Sequence, residues 1–140
     1  MKDIKKNLFS LTILMILFII GCENDDRRAP INEGAKTINV NGVTREYIIY
    51  VPSTYDSNNS VPLMLIFHGW TMSATDQMKI SDMRALAESE KFILVYPQGT
   101  MFDGATHWNV GSWTTGSTSD DLGFVDELIN PIATNHNIDM

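Results

Sequence analysis

Apolar positions along the chain fall into blocks of different kinds, and each kind predicts a different structure. Leu8 to Ile20 is apolar apart from Ser10 and Thr12. That is the length of an export-signal core and is short of the ~20 residues a membrane-crossing helix needs. Glu23 to Gly34 has no apolar period and reads as a polar tether. Thr37–Val40 and Val43–Val51 are β-rich runs flanking Asn41-Gly42, a pair that accepts the positive φ angles of a tight hairpin. After Pro62, the run Val61–Phe67 is continuously apolar, the pattern of a parallel strand covered on both faces. Phe92–Tyr96 repeats that pattern and stops at Pro97. Between the two runs, Met83, Leu86 and Ala87 share a helical face behind Ser81 as N-cap. Strand, helix and strand in this order predict a βαβ unit.

From Gln98 to Ser119 the chain is rich in Gly, Thr, Ser and Trp. A loop of about 20 residues is too long for a plain connector and suits binding. A final helix is predicted behind Ser119, with Asp120 and Asp121 in its first turn and Leu122, Val125, Leu128, Ile129 and Ile132 as its apolar stripe. Pro131 is expected to kink or split it. Side chains of adjacent helical residues do not face each other, so Asp120 and Asp121 read as capping charges rather than a catalytic carboxylate pair.

The N-terminal block gains meaning from its flanks. Lys2, Lys5 and Lys6 precede the apolar core, and Ile19-Ile20-Gly21-Cys22 closes it. That closing sequence resembles the lipobox of bacterial lipoproteins, in which the cysteine thiol is acylated. The expected division is a lipoprotein signal peptide over 1–21, a tether over 22–35, and a domain over 36–140. Cys22 would be the lipid attachment site, and the protein would be exported and membrane-anchored on the periplasmic or extracellular side. An uncleaved signal anchor, or a buried cysteine ending an apolar segment, are the competing readings. Cys22 is the single cysteine, so no intramolecular disulfide can form. With 140 residues, 44% apolar and 19% charged, the chain suits one small folded domain. Its net charge of −7 argues against nucleic acid as a partner. No Cys/His cluster suggests a metal, and no cofactor is expected.

His68-Gly69-Trp70 follows the first buried run directly. A glycine there lets the chain turn sharply out of the sheet and leaves backbone N–H groups free to point into a crevice. The ordered series Tyr47-Ile-Ile-Tyr-Val-Pro, Pro62-Leu-Met-Leu-Ile-Phe-His-Gly-Trp, Leu94-Val-Tyr-Pro-Gln-Gly, His107-Trp-Asn and Asp120-Asp-Leu-Gly-Phe is more specific. Over residues 36 to 140 it resembles the polyhydroxybutyrate depolymerase and feruloyl esterase family of α/β-hydrolases, and Asn137-Ile-Asp139 resembles the stretch ahead of that family's nucleophile strand.

The resemblance implies an α/β fold, the N-terminal half of an α/β-hydrolase: a β-hairpin, a βαβ unit and a further helix. It implies a serine carboxylic ester hydrolase acting on a polyester, feruloyl or short acyl ester. The loop of His68, Gly69 and Trp70 would give one oxyanion donor, through the Trp70 amide. His107, Trp108 and Trp113 would line a substrate cleft, or else pin the long loop to the domain. Family members often carry Cys where His107 stands. No serine here lies in a Gly-x-Ser-x-Gly elbow; Ser112 and Ser117 each follow a glycine directly. The catalytic Ser, acid and base are therefore expected outside these 140 residues, and the strand ending at Phe67 should have one bare edge. A non-catalytic lipoprotein, or the remnant of a disrupted gene, is the alternative reading.

Overall fold

The computed structural model describes residues 34–140; the signal-peptide and lipid-attachment expectations over 1–33, Cys22 included, lie outside them. Strand β1 (Gly34–Val40) pairs antiparallel with β2 (Val43–Tyr50). Asn41 and Gly42 take φ angles of 53° and 87°, and the Gly42 amide donates to Asn39 Oδ1 at 2.9 Å. The turn thus has the left-handed backbone the Asn-Gly pair predicts. β1 starts at Gly34, two residues ahead of the expected start of the domain at residue 36.

β3 (Leu63–Leu65) and β4 (Ile93–Pro97) are parallel, and β2 is antiparallel to β4, giving the order β1-β2-β4-β3. The crossover from β3 to β4 contains two helices rather than the one predicted. α1 (Ala74–Ile80) is capped by Ser73, whose hydroxyl accepts from the Asp76 amide while the Asp76 carboxylate accepts from the Ser73 amide. α2 (Arg84–Glu90) starts at Met83 with no side-chain cap. Ser81, expected to cap the single helix, instead ends α1. The overlooked signal was the Ser73-x-x-Asp76 capping box.

β4 is buried on both faces, and its side chains alternate between two cores. Ile93 and Val95 join Val40, Ile49 and Val61 beneath Phe124, Leu128 and Ile132 of α3 (Asp121–Asn135). Leu94 and Tyr96 join Tyr50, Phe92, Ala74 and Ala87 on the α1/α2 side. This is a helix–sheet–helix sandwich with β4 at its centre. The run predicted as a strand covered on both faces is not so covered: Met64 in β3 is 37% exposed, and Phe67, two residues beyond its end, 43%. The reason is position. Among the described residues β3 has one full neighbour, β4, and stands at the sheet edge.

The last helix also departs from expectation. Asp120, not Ser119, is its N-cap, accepting from the Gly123 amide at 2.9 Å. Its core face is Phe124, Leu128 and Ile132, while Leu122 is 83% exposed. α3 runs on through Pro131 as one helix. Within the predicted long loop lie a small hairpin, β5 (Thr100–Phe102) and β6 (Ala105–His107), and a short 3-10 turn at Ser112–Thr114. The hairpin turns at Asp103-Gly104, with φ angles of 51° and 79°, the same chemistry as Asn41-Gly42. No helix among the described residues is long and apolar enough to cross a membrane.

Glu88 of α2 fastens the segment after β2. Its carboxylate accepts from the Tyr50 hydroxyl and from the Ser53 amide and hydroxyl, the latter two at 2.8 Å. Burial alone would raise this carboxyl, but the hydrogen bonds together hold it below its usual value. A carboxyl depressed in the folded state contributes stability above its unfolded pKa and loses it as pH falls through the folded value. Glu88→Gln should therefore cost about 1 kcal/mol at neutral pH. Between roughly pH 6 and pH 3 its urea midpoint should fall less steeply than that of the wild type, and parallel curves would remove this role.

Candidate active site

The C-terminal ends of β3 and β4 lie side by side, the usual place for a ligand crevice in such sheets. His68 leaves β3 there and is 3% exposed. The Gly99 amide donates to His68 Nε2 at 2.9 Å, so Nε2 accepts, and Nδ1 carries the proton toward Gly69 O at 2.8 Å. Gln98 ties this histidine to its surroundings. Its Nε2 lies 3.2 Å from His68 Nε2, and its Oε1 accepts from the Ala74 amide at the start of α1. With both ring nitrogens engaged, His68 holds the loop in place and is not poised as a general base.

The loop after His68 is clamped on two sides. The Thr71 amide donates to Thr106 O at 3.0 Å, and the Thr106 hydroxyl donates to Met72 O at 2.5 Å. Met72 closes a turn onto Gly69 O at 3.2 Å. The strained residue is Thr71, with φ 67°, rather than Gly69, which does not take a positive φ. A β-branched residue in that region is a real outlier, and such strain gathers at functional loops. The amides of Gly69 and Trp70 have no partner among the described residues. Trp70 is 53% exposed, its ring edge-on to His107 with centroids 6.3 Å apart.

The three residues expected to line a cleft are not brought together. Trp108 is half-buried, and its indole donates to His68 O at 2.9 Å. Its ring packs on Phe67 and His68, with centroids 5.0 Å away in each case, and stacks over Phe124 at 6.5 Å. It both pins the loop and walls an apolar groove of about 320 Å³ with Phe67, Val110, Leu122 and Val125. His107 is 1% exposed and belongs instead to a cavity of about 420 Å³ between the β1–β2 turn, β5 and residues 116–120. Trp113, at 87% exposure, sits on the outside of the 3-10 turn. His136 is half-buried, edge-on to Tyr55 with centroids 5.6 Å apart, and burial lowers its pKa.

Three residues hold the site together in ways that residue order did not show. Gly99 is packed so closely that a Cβ would stand 2.2 Å from His107 O and 3.1 Å from His68 Cε1. Arg45 is 4% exposed and pairs with Asp121 at 2.6 Å, with its guanidinium 4.0 Å from the centre of the Phe124 ring. Asp121 in turn accepts from the Asn109 amide at 2.6 Å and the Ser119 hydroxyl at 2.9 Å. It anchors both ends of the 109–119 loop, a role beyond the helix-terminal charge that its position suggests. No group of three or more potential metal ligands occurs among the described residues.

No protein-family model matches the chain. The chain is 31% identical over 108 residues to the bifunctional acetylxylan esterase/xylanase XynS20E of Neocallimastix patriciarum, covering 74% of this chain and 15% of that protein. A solved thermostable esterase superposes with a TM-score of 0.53 at 19% identity, covering 76% of this chain and 31% of the other. A ferulic acid esterase from the anaerobic fungus Anaeromyces mucronatus gives a TM-score of 0.39 at 23% identity over 76% of this chain and 45% of the other, too low a score to bear on the fold. The chain thus spans less than a third of the length of the first two. The fold is a partial α/β-hydrolase fold. Within that class, the chain is similar to esterases, so the family resemblance read from its motifs holds at the level of esterase-like α/β-hydrolases.

Proposed function

We propose that the chain is the N-terminal part of an exported, lipid-anchored serine carboxylic ester hydrolase, with the Trp70 amide as one oxyanion donor. The observation that carries this is the Trp70 N–H beyond the C-terminal end of β3, which has no partner among the described residues and is held by the Thr71–Thr106 clamp and by Trp108. A donor fixed in advance stabilises the charge that develops on an attacked ester carbonyl without reorganising during the reaction. The nucleophile and its base would come from sequence beyond residue 140. Supporting this, the Val61 amide donates to Asn137 O at 2.9 Å and the Asp139 amide to Val61 O at 3.0 Å, so Ile138 pairs parallel with Val61. A chain continuing in that register would run along the open edge of β3. The acyl group would lie in the apolar groove beside Trp108; the name of the acetylxylan esterase relative suggests an acetyl ester, and the motif resemblance a feruloyl ester.

A proline at position 70 removes the amide proton, whereas phenylalanine keeps it. In the whole protein, Trp70→Pro should lower kcat for a p-nitrophenyl acyl ester by about 10²–10³-fold. Trp70→Phe should stay within a few-fold of the wild type. Equal loss in both variants would assign the role to the indole and sink the oxyanion reading. Absence of any ester hydrolysis by the whole protein would sink the esterase reading itself.

A further inference from the structure

The cavity of about 420 Å³ around His107 contains a pair of groups that the esterase reading does not use. The Ser117 hydroxyl lies 2.7 Å from His107 Nε2, and His107 Nδ1 lies 3.0 Å from Thr100 O. A carbonyl oxygen can only accept, so Nδ1 carries the proton and Nε2 presents its lone pair to Ser117. Hydroxyl, imidazole and orienting carbonyl therefore stand in the order of nucleophile, general base and orienter. Ser117 is half-buried and His107 is buried, so the pair is shielded while the hydroxyl still borders the cavity. The Thr118 amide, one residue after the hydroxyl, has no partner among the described residues, and Thr100 Oγ1 is buried without one. Both residues line the cavity, whose apolar wall is Val43, Met101 and Phe102.

We propose that Ser117 is an acyl-accepting serine, activated by His107, for small acyl esters that fit this cavity. Ser117 Oγ bonds to the ester carbonyl carbon as its proton moves to His107 Nε2. The ester C–O bond then breaks, and the departing alkoxide takes the proton from His107. The products are an O-acyl Ser117 and a free alcohol, with no oxidant or further reactant needed. This pair is separate from the Trp70 amide and from any nucleophile supplied by later sequence. Ser117 lies outside any Gly-x-Ser-x-Gly elbow, with Thr115 and Ser119 where glycines would stand, and its base, ten residues upstream, meets it only through the fold of the 108–116 segment.

An alkyl fluorophosphonate tests the proposal on the full chain: the phosphorus–fluorine bond breaks as the serine oxygen–phosphorus bond forms, and peptide mass analysis locates the adduct. The expected adduct lies on the peptide containing Ser117, is absent in Ser117→Ala, and forms at the wild-type rate in Ser112→Ala. His107→Gln keeps a hydrogen-bonding side chain but cannot take the proton, so labelling should slow by about 100-fold or more. If His107→Gln does not fold, wild-type Ser117 is compared with the same serine in urea-unfolded chain, where labelling should be slower by a similar factor. No adduct at Ser117 in the folded wild type, or a rate indifferent to His107 and to unfolding, overturns the proposal. An adduct confined to a serine beyond residue 140 also overturns it, while leaving the esterase reading intact.

Discussion

Replacing Asp121 with Ala should destabilise the protein by about 3–5 kcal/mol, because it leaves a buried guanidinium without its counter-charge. A domain's whole stability is only about 5–15 kcal/mol, so the variant should stand near the edge of unfolding. The arithmetic rests on burial: Arg45 is 4% and the Asp121 side chain 10% exposed, and the pair is 2.6 Å apart. After the change, Arg45 keeps the Gln98 carbonyl at 3.3 Å and the face of Phe124, neither of which carries a full negative charge. The Asn109 amide and the Ser119 hydroxyl lose their acceptor at the same time. Urea unfolding gives the stability, and hydrogen exchange at Asn109 reports release of the loop. Adding Arg45→Met to Asp121→Ala should recover much of the loss, since an apolar side chain of similar length leaves no charge to solvate. A single variant costing under about 1 kcal/mol would show that water reaches Arg45 freely.

Gly99→Ala should be among the most damaging added methyls in the described residues, and Gly69→Ala among the mildest. At Gly99 the new Cβ meets the His107 carbonyl at 2.2 Å, a backbone atom of β6 that cannot rotate away. The chain must move there, and overpacking of this kind costs about 1–3 kcal/mol, occasionally more. The displacement also strains the Gly99 amide bond to His68 Nε2, so the loop carrying the Trp70 amide should lose its position. At Gly69 the nearest atom to a Cβ is Met72 Sδ at 3.4 Å, an ordinary contact, and the backbone needs no positive φ. Thermal unfolding of the two variants, with ester hydrolysis by the whole protein, separates them. Equal behaviour would mean that the packing at Gly99 relaxes without cost.

The contrast between these glycines shows how far residue order can be read. His68-Gly69 attracts notice because it follows a strand, yet the steric demand falls on Gly99, fixed by β6 lying against the end of β4. The two hairpin turns differ in the same way. Asn41-Gly42 stands between obvious β-rich runs, while Asp103-Gly104 has the same turn chemistry but flanks of only three residues. Such short strands hold little pattern of their own, and their pairing depends on what they pack against.

What the sequence determined by itself was local or one-dimensional in origin: the β1–β2 hairpin, the apolar β4, the βαβ connection, and the motif order that resembles esterases. Each follows from turn chemistry, hydrophobic period or adjacency along the chain. The tertiary structure decided what depends on neighbours distant in sequence. It left Met64 and Phe67 exposed beside the bare edge that the sequence predicts, turned the Phe124–Leu128–Ile132 face of α3 inward, and made Asp121 the partner of Arg45. It also set His107 against Ser117 rather than beside Trp108 in a common cleft. Composition and period record how apolar a residue is; which face it presents, and to whom, is settled only when the sheet and its covering helices close.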